Sequence, residues 1–242
     1  MEQRQPAAPV HRREFNRVLA SSALLTCLAP AKSWALGLGD LSNREVDQGL
    51  KAALEQGALA AVGLLGRPDG FLGNPKVRIP LPGFLQQASG LLKAMGRGKQ
   101  IEELEVAMNR AAEAAVPMAR DLLVSAAKSI TVNDARGILT GGETSVTDFF
   151  AGKTREPLTV KFLPAVTTAI QKVGLAQKYN AVAGKVAGSG LVGKQEVNLE
   201  HYVTGKSLDG LYLMIGEEEK KIRANPAGAG SAVLRKVFGA LK

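Results

Sequence analysis

Three carboxylates gather around one glycine turn: Asp134, Glu143 and Asp148 flank Gly141-Gly142. Held face to face, two of them could hydrolyse a glycosidic bond, one as acid and the other as base or nucleophile. They could also grip a hard cation through oxygen. The plainer reading is helix capping. Asp134 closes a capping arrangement begun at Thr131, and Asp148 sits near a helix N-terminus, where the dipole favours acids. A second set is cationic. Lys76 and Arg78 lie in a proline-rich stretch, and Arg223 ends a long helical pattern. With Tyr202 they form the candidate ligand-binding set, since arginine suits bidentate grip of carboxylate or phosphate. Ordinary surface cations are the alternative.

Other chemistry is thin. Gly188-Ser189-Gly190-Leu191-Val192-Gly193-Lys194 fits the spacing of a phosphate-binding loop. Gln195 stands where a magnesium-binding Ser or Thr belongs, and no buried strand precedes it, so a flexible linker is expected. His201 is the only histidine beyond residue 35, and it cannot build a multi-histidine zinc site. It reads as a structural, hydrogen-bonded side chain beside a buried Tyr202. No metal site and no cofactor are expected, and the chain is read as leaning away from catalysis.

Residues 1–35 read as an export signal. Arg12-Arg13-Glu14-Phe15 resembles the twin-arginine pattern. The apolar run that follows, Val18 to Ala29, is about a dozen residues against the roughly 20 a spanning helix needs. Ser33-Trp34-Ala35 offers small residues for cleavage after Ala35. Cys27, the sole cysteine, lies inside this segment, so lipid anchoring there is the minor alternative and a disulfide is excluded. Residues 1–35 hold five of the 31 Lys and Arg and two of the 22 Asp and Glu, leaving 26 basic and 20 acidic side chains, a net of +6. That balance predicts weak attraction to anionic envelope surfaces. The cations are interspersed with acids and lack aromatic interleaving, so nucleic acid is not an expected partner. No later run is apolar enough to span a membrane.

The elements that must position these groups are helices. Ser42 and Glu45 form a capping box, and Val46, Leu50, Leu54, Ala58, Ala61 and Leu65 follow at helical spacing to a stop at Gly66 and Pro68. Arg67 to Pro82 holds four prolines and predicts a long extended loop, with Val77 and Ile79 facing one way and Lys76 and Arg78 the other. Helices are expected from Pro82 to Met95 and from Lys99 to Ser129, the second broken at Pro117. Short helices follow, to Leu139 and from Glu143 to Ala151. Another is capped by Thr154 and bent at Pro164, and a weaker one runs from Ala176 to Ala187. Asn198 to Thr204 predicts a separate turn. Ser207 to Arg223 is the helix the rest should pack around, burying Leu208, Leu211, Tyr212, Ile215 and Ile222. Its Glu217-Glu218-Glu219 run reads as a solvated face, with Glu217–Lys221 and Glu219–Arg223 as ion pairs. Asn225-Pro226 should open a terminal helix burying Val233, Leu234, Val237, Phe238 and Leu241.

The pattern predicts an all-α protein, an irregular multi-helix orthogonal bundle of eight to ten helices over residues 36–242, with a proline-rich loop laid across one domain. Three groups of segments resemble domain-of-unknown-function family 4197, a set of exported bacterial proteins. They are Asn74 to Pro82; Asp134 to Gly142 with Thr147-Asp148-Phe149-Phe150; and Leu208 to Tyr212 with Glu217 to Lys220, Ile222-Arg223 and Asn225-Pro226. The likeness runs in order over nearly all of the chain beyond the signal. It implies a helical exported protein and brings no established activity, cofactor or catalytic residue. The expected function is a non-catalytic binding or interaction module of the cell envelope, meeting an amphiphilic or acidic ligand or another envelope protein. The alternative is a carboxylate-dependent hydrolase acting on cell-wall glycans.

Overall fold

A computed structural model describes residues 37–188 and 198–241. The expected signal, Cys27 and residues 189–194 of the glycine-rich stretch lie outside them. The described helices are α1 (Asn43–Leu65), α2 (Gly83–Ala94), α3 (Gly98–Ala115), α4 (Arg120–Ser129), α5 (Ala135–Leu139), α6 (Ser145–Lys172), α7 (Leu175–Gly188), α8 (Leu199–Ala224) and α9 (Ala232–Gly239). No strand occurs among the described residues. The fold is an all-α multi-helix bundle whose buried apolar side chains form one cluster. No helix among the described residues is long and apolar enough to cross a membrane.

The bundle is organised on α8, which packs most extensively on α1 and α6 and also meets α3 and α9. Small residues on α8 and its partners allow this. A Cβ on Gly210 would lie 2.7 Å from Phe71 Cε1, and one on Gly57 of α1 would lie 3.0 Å from Ile215 Cγ2. α8 begins earlier than expected. Asn198 accepts from the His201 backbone N–H at 2.9 Å, and a single helix runs through to Ala224. The turn predicted over Asn198–Thr204 is therefore its first part, nucleated by a side-chain cap.

α6 is the larger departure. Two helices separated near Thr154 were expected, but one 28-residue helix contains both Pro157 and Pro164. Each interior proline costs about 3 kcal/mol. Against this, Phe150, Leu158, Phe162, Val166 and Ile170 bury one continuous stripe. At roughly 1.5–3 kcal/mol per buried side chain, the stripe outweighs both prolines. Thr154 does not cap. Its hydroxyl bonds the Phe150 carbonyl at 2.6 Å and meets the Tyr212 hydroxyl at 2.9 Å.

Pro117 ends α3 as expected, through a 3-10 turn at Val116–Ala119 that leads into α4. The terminal segment differs. Pro226 opens only a 3-10 turn, and α9 starts after the Gly228–Gly230 stretch, leaving Val233 exposed while Leu234, Val237 and Phe238 are buried. α9 lies so close to α1 that a Cβ on Gly49 would fall 2.7 Å from Val237 side-chain atoms.

The predicted capping box forms: Ser42 N–H donates to Glu45 at 2.8 Å and Ser42 Oγ accepts from Glu45 N–H at 3.3 Å. Glu45 also accepts from Lys236 Nζ at 2.5 Å, tying α1 to α9. Its carboxyl is held down from 4.5 to about 2, first by Lys236 and then by Ser42. A lowered native value means the contribution is complete above the ordinary value and lost as pH falls through the native one. Stability measured across pH 4.5 to 2 should therefore fall more steeply in the native protein than in Glu45→Gln. Parallel curves for the two would show that the α1–α9 tie carries no linkage.

Candidate functional site

The Arg67–Pro82 stretch has little regular structure of its own, so its backbone groups need partners from elsewhere. α3 supplies them. Asn109, fully buried, accepts from Ile79 N–H at 2.8 Å and donates to the Ile79 carbonyl at 2.9 Å, replacing a strand neighbour with one amide side chain. One turn on, Glu113 accepts from the Phe71 and Leu72 N–H groups, both at 3.0 Å. Arg110 balances that buried carboxylate at 2.7 Å and reaches Asp69 at 2.8 Å. Hydrogen bonding to Glu113 is the main cause that raises the Arg110 pKa. Asp69 has φ +62°, a left-handed conformation that Asp tolerates better than most side chains.

From α8, Tyr202 donates its hydroxyl to the Pro80 carbonyl at 2.9 Å, and burial pushes its pKa up, keeping it a neutral donor. Phe71, Val77 and Ile79 are thereby turned into the core while Lys76 and Arg78 face outward, the alternation expected from the sequence.

Lys76 and Arg78 from the loop and Lys206, Asp209 and Leu213 from α8 line a cleft of about 180 Å³ whose floor includes Val77 and Pro80. Each cation already has a carboxylate. Lys76 meets Glu217 at 2.6 Å, Arg78 meets Glu105 at 2.8 Å, and Lys206 meets Asp209 at 3.6 Å. Glu217 is held below the usual carboxylate range chiefly by its hydrogen bond from Lys76, then by Lys220. The Lys76 and Arg78 side chains are 60% and 47% exposed. Such exposed pairs contribute about 0–1 kcal/mol, so an incoming anion can take over these cations at small cost.

Arg223 does not join them. Its side chain is 14% exposed and donates to Glu219 at 2.7 and 2.9 Å, to the Leu139 carbonyl at 2.9 Å and to Ser145 Oγ at 2.9 Å. It also lies over the Phe238 ring. With its donors committed inside the protein, it is a structural clamp rather than an anion contact. Tyr202 acts beside the cleft by holding Pro80, and does not line it.

Glu219 corrects the reading of the acidic run. It is 2% exposed, and its carboxylate receives Val146 N–H at 3.1 Å, Thr147 N–H at 2.8 Å and Thr147 Oγ1 at 2.7 Å. A side chain on α8 thus caps the N-terminus of α6, where free N–H groups and the helix dipole both favour an anion. The Glu219–Arg223 pair forms as expected; Glu217 pairs with Lys220 and Glu218 with Lys221, so the Glu217–Lys221 pair does not.

Of the three carboxylates around the glycine turn, Asp134 is the N-cap of α5, accepting from Gly137 N–H at 2.8 Å. It is not the closing residue of a box begun at Thr131. Asp148 accepts from Thr144 Oγ1 at 3.0 Å, and Glu143 is exposed. None of the three lines the loop cleft or either of the two grooves along α3 and α4. His201 is likewise exposed, next to the half-buried Tyr202.

Sequence reading missed Lys206, Asp209 and Leu213 in the cleft, and Asn109 and Glu113 beneath the loop. Lys206 fell just before the expected start of the central helix; the Asn198 cap was the signal for extending it. Asn109 and Glu113 are four residues apart on one face of α3, which is all the sequence shows of their shared task.

No curated protein and no solved structure matches the chain. The model of a family described as protein of unknown function (DUF4197) matches residues 40–239, the whole described bundle from the α1 cap to the end of α9. The chain belongs to the DUF4197 family.

Proposed function

We propose that this is an exported, non-catalytic binding module of the cell envelope that takes anionic groups of an acidic polymer in the cleft between the proline-rich loop and α8. The observation that carries this reading is the convergence of Lys76, Arg78 and Lys206 over the apolar Val77, Pro80 and Leu213. Two of the three partner acids are shared, Glu217 with Lys220 and Asp209 with Arg155, so five cations meet three acids and the region is locally positive. The loop beneath is fixed by buried hydrogen bonds, so little ordering is needed on binding. Export is supported by the Arg12-Arg13 pattern and the short apolar run after it.

Glycan hydrolysis by Asp134, Glu143 and Asp148 has no such observation behind it. A hydrolytic pair needs two acids held across one cleft, whereas Asp134 and Asp148 each bond within their own turn.

Native mass spectrometry of protein taken from cell envelopes should show a bound acidic species that is lost from Lys76→Gln/Arg78→Gln/Lys206→Gln. Because the three cations sit in exposed pairs of about 0–1 kcal/mol each, the variant should lose at most about 3 kcal/mol and remain folded. An unliganded native protein, or equal retention by the variant, would sink the reading.

A further inference from the structure

A second opening, between α4 and α6, has a different chemistry. It is a groove of about 300 Å³ floored by Leu122, Ala126, Ile130 and Leu158. Lys153 and Lys161 stand on its α6 wall, with Ser125 and Ser129 opposite on α4. No acid lines it. Among the described residues neither lysine makes an ion pair or a side-chain hydrogen bond, whereas Lys128 on α4 is held by Glu55 at 3.1 Å. The one buried hydroxyl in the floor, Thr154, is already spent on Phe150 and Tyr212, so the floor presents no unmet polar group.

Lys153, Pro157 and Lys161 recur every fourth residue and share one face of α6. The two lysine roots are about 12 Å apart along the axis. Their long, flexible arms can close on one headgroup above Pro157. Pro157, with no N–H and a flat ring, leaves the wall between them apolar.

We infer that this groove binds a monomeric single-chain amphiphile with an anionic headgroup, the tail on the Leu122–Ala126–Ile130 floor and the headgroup between Lys153 and Lys161. Charge complementarity selects this occupant. A neutral amphiphile would leave both ammonium groups unmatched, and a cationic one would be repelled. The site is separate from the loop cleft and does not depend on it.

The test is calorimetric titration of the purified protein with dodecyl phosphate and dodecyl maltoside below their micelle concentrations. Dodecyl phosphate should bind one per chain and about tenfold or more tighter than the maltoside. Lys153→Glu/Lys161→Glu should abolish that preference without altering the melting temperature, because both side chains are exposed and unpaired. Ala126→Trp, which fills the floor, should block both ligands. Lys76→Gln/Arg78→Gln should leave the titration unchanged, so failure here and failure of the cleft reading are told apart. No binding of dodecyl phosphate, equal affinity for the two amphiphiles, or binding that survives the charge reversal would overturn the assignment. So would charge-dependent sedimentation with phosphatidylglycerol vesicles in the absence of dodecyl phosphate binding, which would make the lysines a bilayer contact instead.

Discussion

Glu219→Ala should destabilise the protein by about 3–5 kcal/mol, the usual cost of removing one partner from a buried ion pair. Three losses combine at this position. The Val146 and Thr147 N–H groups at the start of α6 lose their acceptor, the Thr147 hydroxyl loses its partner, and the Arg223 guanidinium is left uncompensated at 14% exposure. For a chain of this size the loss corresponds to a fall in melting temperature on the order of 10 °C. Glu219→Gln keeps an accepting oxygen and should cost less. Glu219→Leu/Arg223→Leu removes the charge imbalance and should cost less than the sum of its single changes. Urea denaturation of Glu219→Ala, Glu219→Gln, the double variant and its two single Leu changes measures all of this. A Glu219→Ala cost below about 1 kcal/mol would mean that the acidic run is a solvated face after all.

Glu113→Ala should be second, at roughly 3 kcal/mol, since it strands two backbone N–H groups and unbalances Arg110. Asn109→Leu is its companion. It keeps the branched skeleton but leaves Ile79 N–H and the Ile79 carbonyl unpaired where the side chain is fully buried, at about 2–4 kcal/mol. The informative readout is local. Amide exchange should accelerate from Asp69 to Arg78 more than in α1 or α8, and affinity for an anionic ligand should fall even though neither residue touches the cleft. Uniform acceleration across the bundle would show that these side chains stabilise the core in general and do not specifically fix the loop.

Much of the architecture was legible because capping and periodicity are local. Ser42 and Glu45 marked the start of α1, and Pro117 marked the break after α3. The stripe through Leu208, Tyr212, Ile215 and Ile222 identified the helix at the centre. Two errors came from treating local signals as decisive. Thr154 read as the cap of a new helix, yet Val146, Phe150, Leu158, Phe162, Val166 and Ile170 already kept one helical stripe across it. Glu219 read as solvated because it stands in a run of acids. Its spacing from Ile215 and Ile222 nevertheless places it on the apolar face. What no spacing could supply is the identity of its partners, since the N-terminus of α6 reaches Glu219 only through tertiary packing. The same holds for Glu113 and the loop N–H groups, which are about 40 residues away in the chain. The cleft was half legible. Lys76 and Arg78 could be placed outward by alternation, but Lys206 and Leu213 join them only because the loop lies across α8.

Side-chain nitrogen NMR during titration with polyphosphate tests the central claim most directly, because it reports on each cation separately. The account predicts that Arg78 Nε and the Lys76 and Lys206 ammonium signals move together and saturate, while Arg223, enclosed by Glu219, Leu139 and Ser145, stays where it is. Equal small shifts over all exposed lysines and arginines, or movement of Arg223 ahead of Arg78, would contradict it.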